Sequence, residues 1–345
     1  MKYKYFPYLF LGIGCTVLNA QELDSKSSSS VFDVTASAET TPVRSLDDAA
    51  DDIAIWKNPV NPGQSIVVGT DKKYGLATYN LAGNLLSELE LGRVNNVDVL
   101  LDWSMGQEQF PLLVATNRTH QSIDLLRLYP DGTMVLLHRE PVRSLSEVYG
   151  IGFYADSSMT TVVVSDVKGR LGQWLLGQTT EGIQMKLLRR WSMGSVVEGI
   201  AGDPYHKKIY LSQERKGLWS INAHPGLAME QTMILPTSQQ LPEDFEGVDI
   251  YEEPDGAGYV VLSVQGADKY AVLDRASGTL LGIFRITDGP NTDGVQETDG
   301  LDLHPGPFPG FPRGVLVVQD GDNPSGAQNF KYVDWNQVLS GLNNK

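Results

Sequence analysis

Short apolar runs of strand length recur along almost the whole chain, each closed by a turn signal, and this recurrence limits the fold more than any other feature. Ser65–Thr70 is followed by Gly75–Leu81 and then by Ala82-Gly83-Asn84. Leu112–Thr116 precedes Ile123–Tyr129, and Pro130-Asp131-Gly132-Thr133 follows. Further runs occupy Thr161–Ser165, Lys208–Ser212, Tyr259–Val264 and Val315–Gln319, with second strands at Gly172–Leu176, Gly217–Asn222 and Lys269–Asp274. Each is rich in β-branched residues and bounded by turn formers, as strands are. The strand pairs repeat at intervals of roughly 40–55 residues, the spacing of propeller blades. No WD dipeptide pattern or other sharp repeat accompanies them, so periodicity alone predicts a propeller or a large sandwich. An even spread of 35 Gly and 18 Pro agrees with an all-β chain. The one helical pattern is Trp335–Leu342.

The first twenty residues form a separate object. Lys2 and Lys4 make a basic start, Phe6–Leu18 is mostly apolar, and Leu18-Asn19-Ala20 suits cleavage before Gln21. This is a signal peptide pattern rather than an uncleaved anchor, being short for a membrane span. Residues 21–30 are a polar, Ser-rich leader expected to be disordered. Residues 31–340 read as a single domain without a linker, and the tail from Ser340 is expected to fray. Export to the periplasm or the exterior follows. Cys15, the only cysteine, lies in the signal segment, so disulfides, thiolate zinc sites and cysteine nucleophiles are excluded from the mature chain. Cleavage leaves 25 basic residues against 42 acidic, a formal −17. Such a surface repels nucleic acid and anionic lipid and attracts hard divalent cations.

No G-x-S-x-G elbow, P-loop or H-E-x-x-H is present, and the five histidines are scattered. Acidic clusters stand out instead. Asp47-Asp48-Ala49-Ala50-Asp51-Asp52, Glu243-Asp244-Phe245-Glu246 and Asp320-Gly321-Asp322-Asn323 all adjoin strands, and Thr-Asp-Gly occurs three times between Ile286 and Asp302. Any one cluster is well explained by turn formation. Four together, with few basic neighbours, favour a multivalent cation that relieves their repulsion. Lys72, Arg118 and Lys168 form a second set. Each follows the strong strand of its segment, an address that converges on one face of a propeller. There they suit anionic oxygens; singly, each is an ordinary solvated turn residue.

These segments also carry a family resemblance. DDAADDIAIW (47–56), TDKKYGLATY (70–79), NNVDV (95–99), ATNR (115–118), EVYGIGFY (147–154), EGIAGD (198–203), EDFEGVDIY (243–251), SVQG (263–266), FRITDGPNTDG (284–294), ETDGLD (297–302), QDGD (319–322) and QNFK (328–331) resemble, in order and spacing, the β-propeller phytases. The resemblance runs from Val34 to Trp335. It implies a six-bladed β-propeller, several calcium ions, and hydrolysis of phosphate monoesters of inositol hexakisphosphate (phytate) by a metal-activated water, a 3-phytase activity. It implies that Asp52, Glu198, Asp244 and Glu246 ligate catalytic calcium, with Asp51, Tyr149 and Glu214 lining that site and Glu39, Asn96, Asp98, Gln265 and Asp299 around it. Asp293, Asp320 and Asp322 match a more structural calcium site, and Lys72, Arg118 and Lys168 the phosphate-binding residues. Ile53, Thr41 and Arg215 depart from the family pattern, which has a proline and two acids there. The implied partner is phytate as its calcium complex, since an anion of about a dozen charges is repelled by a −17 protein unless metal intervenes. No nucleic-acid or membrane partner is expected, and the chain is expected to be a monomer. The alternatives are a non-catalytic calcium-binding propeller and a calcium hydrolase of neutral esters.

Overall fold

The computed structural model describes residues 30–180, 182–323 and 326–344. The expected signal peptide, with Cys15, and all of the leader but Ser30 lie outside these residues. Six sheets follow one another along the chain, four of them formed from consecutive antiparallel strands, and make the six blades of a β-propeller. Blade 1 spans Ala50–Glu90, blade 2 Val94–Pro141, blade 3 Val148–Ser192, blade 4 Val197–Pro236, blade 5 Phe245–Thr287 and blade 6 Leu301–Asp334.

The ring is closed by the N-terminal segment. Strand β1 (Val31–Thr35) pairs in parallel with the outer strand Leu280–Thr287 of blade 5, and β2 (Ala38–Glu39) pairs with Asn329–Asp334 of blade 6. Gln328 Oε1 accepts from the Ala49 and Ala50 amides at 2.7 and 2.8 Å, joining blade 6 to blade 1. Six apolar clusters fill the six gaps between neighbouring blades. Helix α1 (Trp335–Asn343) packs on the gap between blades 5 and 6, where buried Trp335 stacks on Tyr251 at 5.2 Å. The tail is therefore helical to Asn343 and not frayed from Ser340: Val338 and Leu339 are buried, and burial holds a short helix that would be marginal alone.

The strong runs in the sequence are the second strands of the blades, not the first. The innermost strands are Ala50–Trp56, Val94–Met105, Val148–Ala155, Val197–Asp203, Phe245–Glu252 and Leu301–Pro305. They carry glycines and acids facing a channel, so their strand propensity is low and periodicity passes over them. Outer strands such as Leu85–Glu90 and Gln231–Pro236 are hidden by their polar, half-exposed composition.

Candidate active site

The inner strands of blades 1–5 share one defect, placed identically. Register slips between Ala50 and Ile53, Val94 and Val97, Val148 and Ile151, Val197 and Ile200, and Phe245 and Val248, where the partner strand advances one residue fewer. Each is a β-bulge, which re-aims a side chain. The bulged pairs are Asp51-Asp52, Asn95-Asn96, Tyr149-Gly150, Glu198-Gly199 and Glu246-Gly247. In blade 6, Asp299-Gly300 takes the same place just before the strand. Second-strand side chains hold three of these bulges: Thr70 Oγ1 accepts from Asp52 N at 2.9 Å, Thr116 Oγ1 from Asn96 N at 3.1 Å and Ser165 Oγ from Gly150 N at 2.8 Å. The glycines are obligatory, because adjacent blades touch here. A Cβ on Gly150 would lie 2.0 Å from Glu198 O, and one on Gly199 would lie 2.4 Å from Glu246 O.

Six side chains therefore meet at one end of the channel: Asp51, Asn95, Tyr149, Glu198, Glu246 and Asp299. Carboxylate oxygens of Asp51, Glu198 and Asp299 lie within 4.8 Å of one another, as do those of Glu198, Glu214 and Glu246. All but half-buried Glu214 are buried. Burial, then mutual repulsion with Asp299, pushes the Asp51, Glu198 and Glu246 carboxyls well above their ordinary values. Burial followed by Asp244 and Asp299 raises Glu214, and burial raises Asp299. The cluster has one ammonium, that of Lys72, 3.6 Å from Asp299, 3.9 Å from Asp51 and 2.6 Å from Asp48. Burial pulls the Lys72 pKa down, but Asp51, Asp299 and Asp48 more than offset it and keep the group charged.

The remaining expected residues are placed variously. Asp52 turns to its neighbour blade, accepting from Asn96 Nδ2 at 2.9 Å and Val97 N at 3.1 Å. Asp244 is exposed at the rim with φ +71°, its amide donating to Glu214 O. Gln265 is half-buried in the equivalent turn of blade 5. Arg118 and Lys168 stand in the corresponding turns of blades 2 and 3; Asp166 Oδ1 accepts from Lys168 N at 2.9 Å. Asp98 lies one layer deeper, in a cavity of about 580 Å³ with Asp249 and Asp302. All three accept from the amides of the next blade, namely Phe153 N, Leu303 N and Ile55 N, at 2.6, 2.8 and 2.5 Å. These bonds clasp blade to blade. Burial raises Asp98 to about 7.

Asn95 was not singled out by sequence reasoning, yet its Nδ2 donates to Glu198 Oε1 at 2.9 Å. The missed signal is a repeat: Tyr149-Gly150-Ile151, Glu198-Gly199-Ile200, Glu246-Gly247-Val248 and Asp299-Gly300-Leu301 share an x-Gly-aliphatic pattern at blade spacing.

A model of the phytase family matches residues 9–345. The chain belongs to the phytase family. Among its relatives, the 3-phytase of Bacillus subtilis (strain 168) is 34% identical over 351 aligned positions, covering 97% of this chain and 91% of that one. Among solved structures, BBS1N in complex with ARL6DN aligns with TM-score 0.50 and 12% identity, over 84% of this chain and 78% of that one, a likeness of fold alone.

In this phytase-family chain a second acidic group lies away from the channel. Glu39, Asp293 and Asp320 surround the buried ammonium of Lys331: Glu39 Oε2 is 2.5 Å from it and Asp320 Oδ2 3.3 Å, with Asp293 also in contact. Glu39 is thus brought to Asp293 and Asp320 rather than to the channel mouth. Asp322 lies exposed two residues beyond Asp320. Burial raises Asp320 to about 6, against the pull of Gln296 N and Lys331.

Proposed function

We propose that this chain is a calcium-dependent phytase that removes phosphate from phytate and is exported to the periplasm or beyond. One observation carries the calcium reading. Both carboxylate oxygens of buried Asp51, and Glu246 Oε2 beside it, have no hydrogen-bond partner. Buried charges left unpaired are expensive, and an all-oxygen donor set suits a hard cation that accepts six to eight oxygens. Asp51, Glu198, Glu214, Glu246 and Asp299 would hold calcium, with Asp244 at the rim. Around Lys331, three carboxylates exceed one ammonium by two charges, and Asp320 Oδ2 has no hydrogen bond, so a further calcium suits that group as a structural site. At the channel mouth the ion would supply neutralisation of phosphate charge and a more acidic water.

The chain's own residues do the rest. Lys72, kept charged by its neighbours, donates to phosphate oxygens and is no general base. Tyr149 stays protonated at any working pH, because Glu198 and then burial push its hydroxyl far up; it remains a donor beside the carboxylates. Asn95 fixes the Glu198 carboxylate, and Thr70 fixes the Asp51-Asp52 bulge. Arg118 and Lys168, one and two blades from Lys72, reach phosphates on the same ring. Calcium is a weak Lewis acid, so the optimum is neutral to alkaline.

The test is phosphate release from phytate with calcium and with excess EGTA. Release that stops in EGTA and returns with calcium supports the reading. Undiminished release in EGTA sinks it, and calcium-dependent melting without turnover leaves a binding propeller.

A further inference from the structure

The last residue but one of each second strand carries a hydrogen-bonding side chain: Thr70, Thr116, Ser165, Ser212, Ser263 and Gln319, in blades 1 to 6 in turn. All are buried. Beyond holding their own bulges, members of this set reach the next blade. Thr116 Oγ1 donates to Tyr149 O at 2.5 Å, Ser165 Oγ to Val197 O at 2.6 Å, Ser263 Oγ to Asp299 O at 2.6 Å and Gln319 Nε2 to Ala50 O at 3.5 Å. Each acceptor belongs to a residue that sends its side chain to the channel mouth, or to the residue just before one.

Asp299 depends most on such help. The ladder of its strand begins beyond it, at Leu301. Three blades grip the Asp299-Gly300 segment instead: Gln319 Oε1 accepts from Asp299 N at 2.9 Å, Ser263 Oγ donates to Asp299 O, and Gly300 N donates to Asp51 O at 3.1 Å. A second donor to Asp299 O, Gly247 N, stands at 3.4 Å, long for such a bond. Ser263 Oγ also lies 3.4 Å from Gly247 O, but a hydroxyl has one proton, and the partner at 2.6 Å takes it.

We propose that Ser263 is a positioning residue: its hydroxyl sets the Asp299 peptide, and with it the Asp299 carboxylate, in place against Lys72 and the acids of the channel mouth. That carboxylate lies within 4.8 Å of those of Asp51 and Glu198 and 3.6 Å from the Lys72 ammonium. Without the hydroxyl, Asp299 O keeps only the long contact from Gly247 N, and the carboxylate drifts from these partners. Misplacing a reacting group by about 1 Å costs up to about a hundredfold in rate. Ser263 is fully buried and acts only through Asp299. The role rests on the calcium and phytate reading above. Blade 4 supplies an internal control: Ser212 has the same address and burial, yet its hydroxyl has no hydrogen-bond partner.

The experiment is steady-state phosphate release from phytate by the full chain, with calcium titrated into the protein by calorimetry and melting curves for every variant. Wild-type release in calcium comes first. Its absence overturns the parent reading, and the calorimetry still decides the role of Ser263. Ser263→Ala lowers kcat about tenfold, moves KM for phytate less than about twofold and raises the half-saturating calcium concentration about threefold. Ser263→Thr recovers most of both losses, since threonine serves at this address in blades 1 and 2. Ser212→Ala moves each quantity less than about twofold. Equal losses in Ser263→Ala and Ser212→Ala overturn the proposal. So does a lower melting temperature in Ser263→Ala with kcat and calcium titration unchanged, which makes the serine a packing residue. If Ser263→Ala does not fold, Ser263→Cys, with a weak donor of similar size, decides the same questions.

Discussion

Around Lys331 three carboxylates share one ammonium, and at the channel mouth five share the ammonium of Lys72, yet the two groups are not in the same state. Glu39 and Asp293 keep 39% and 32% of their side chains in solvent, and each touches Lys331 directly. Water and an internal cation together hold that group. At the mouth, Asp51 and Asp299 are 1% and 10% exposed, and Lys72 reaches them only at 3.9 and 3.6 Å while its closest contact is Asp48. The first group thus contains a cation in direct contact with its carboxylates, whereas at the mouth both Asp51 oxygens and Glu246 Oε2 have no hydrogen-bond partner.

The largest effect is expected at the mouth itself. Glu246→Ala is expected to lower phosphate release about a thousandfold while its circular dichroism and melting stay those of a folded chain. A variant within tenfold of wild type would show that the open oxygens are not the reactive ones. Next in size is Lys331→Met. Removing the internal cation is expected to cost about 2–3 kcal/mol, below the 3–5 of a fully buried pair because water screens Glu39 and Asp293. Denaturant melts measure it, and an unchanged midpoint would mean that the ammonium contributes nothing. Asp320→Ala is expected to lower the melting temperature in calcium by several degrees, since bound metal stabilises by mass action. Lost activity with unchanged melting would reverse the assignment of structural and catalytic groups.

Asp98, Asp51, Glu198 and Glu246 titrate above their unfolded values, so the folded state binds more protons than the unfolded state once pH passes about 4. Stability of the metal-free chain therefore falls as pH rises from about 4 through about 7, the value for Asp98. Calcium is expected to flatten this slope by occupying the mouth, and melts in EDTA and in calcium across that range would show whether it does. The smallest effect is expected at Thr70→Val, which removes the acceptor for Asp52 N: kcat falls about tenfold, with recovery in Thr70→Ser. Failure of the serine to recover would place the loss in packing rather than in the bulge.

Much of this was legible in the sequence, and the reason is local. Second and third strands such as Ile66–Asp71 and Gly217–Asn222 carry β-branched runs between turn formers, so blade spacing and the all-β class could be read directly. Acid clusters and the basic turn residues are also local patterns, visible without neighbours. Which acids meet was not legible. A bulge of one residue decides whether Asp51 or Asp52 faces the channel mouth, and that slip depends on a partner strand and on a hydroxyl such as that of Thr70. Asp98 reads like a ligand in NNVDV, and only the fold shows that it also accepts from the amide of Phe153 in the next blade. Glu39 and Lys331 are separated by 292 residues and meet only because the N-terminal strand closes the ring. Sequence by itself thus determined the strand repeat, the acidic character and the kinds of donor available. Tertiary structure alone decided which carboxylates would be left without a partner, because that depends on hydrogen bonds and charges contributed by other blades.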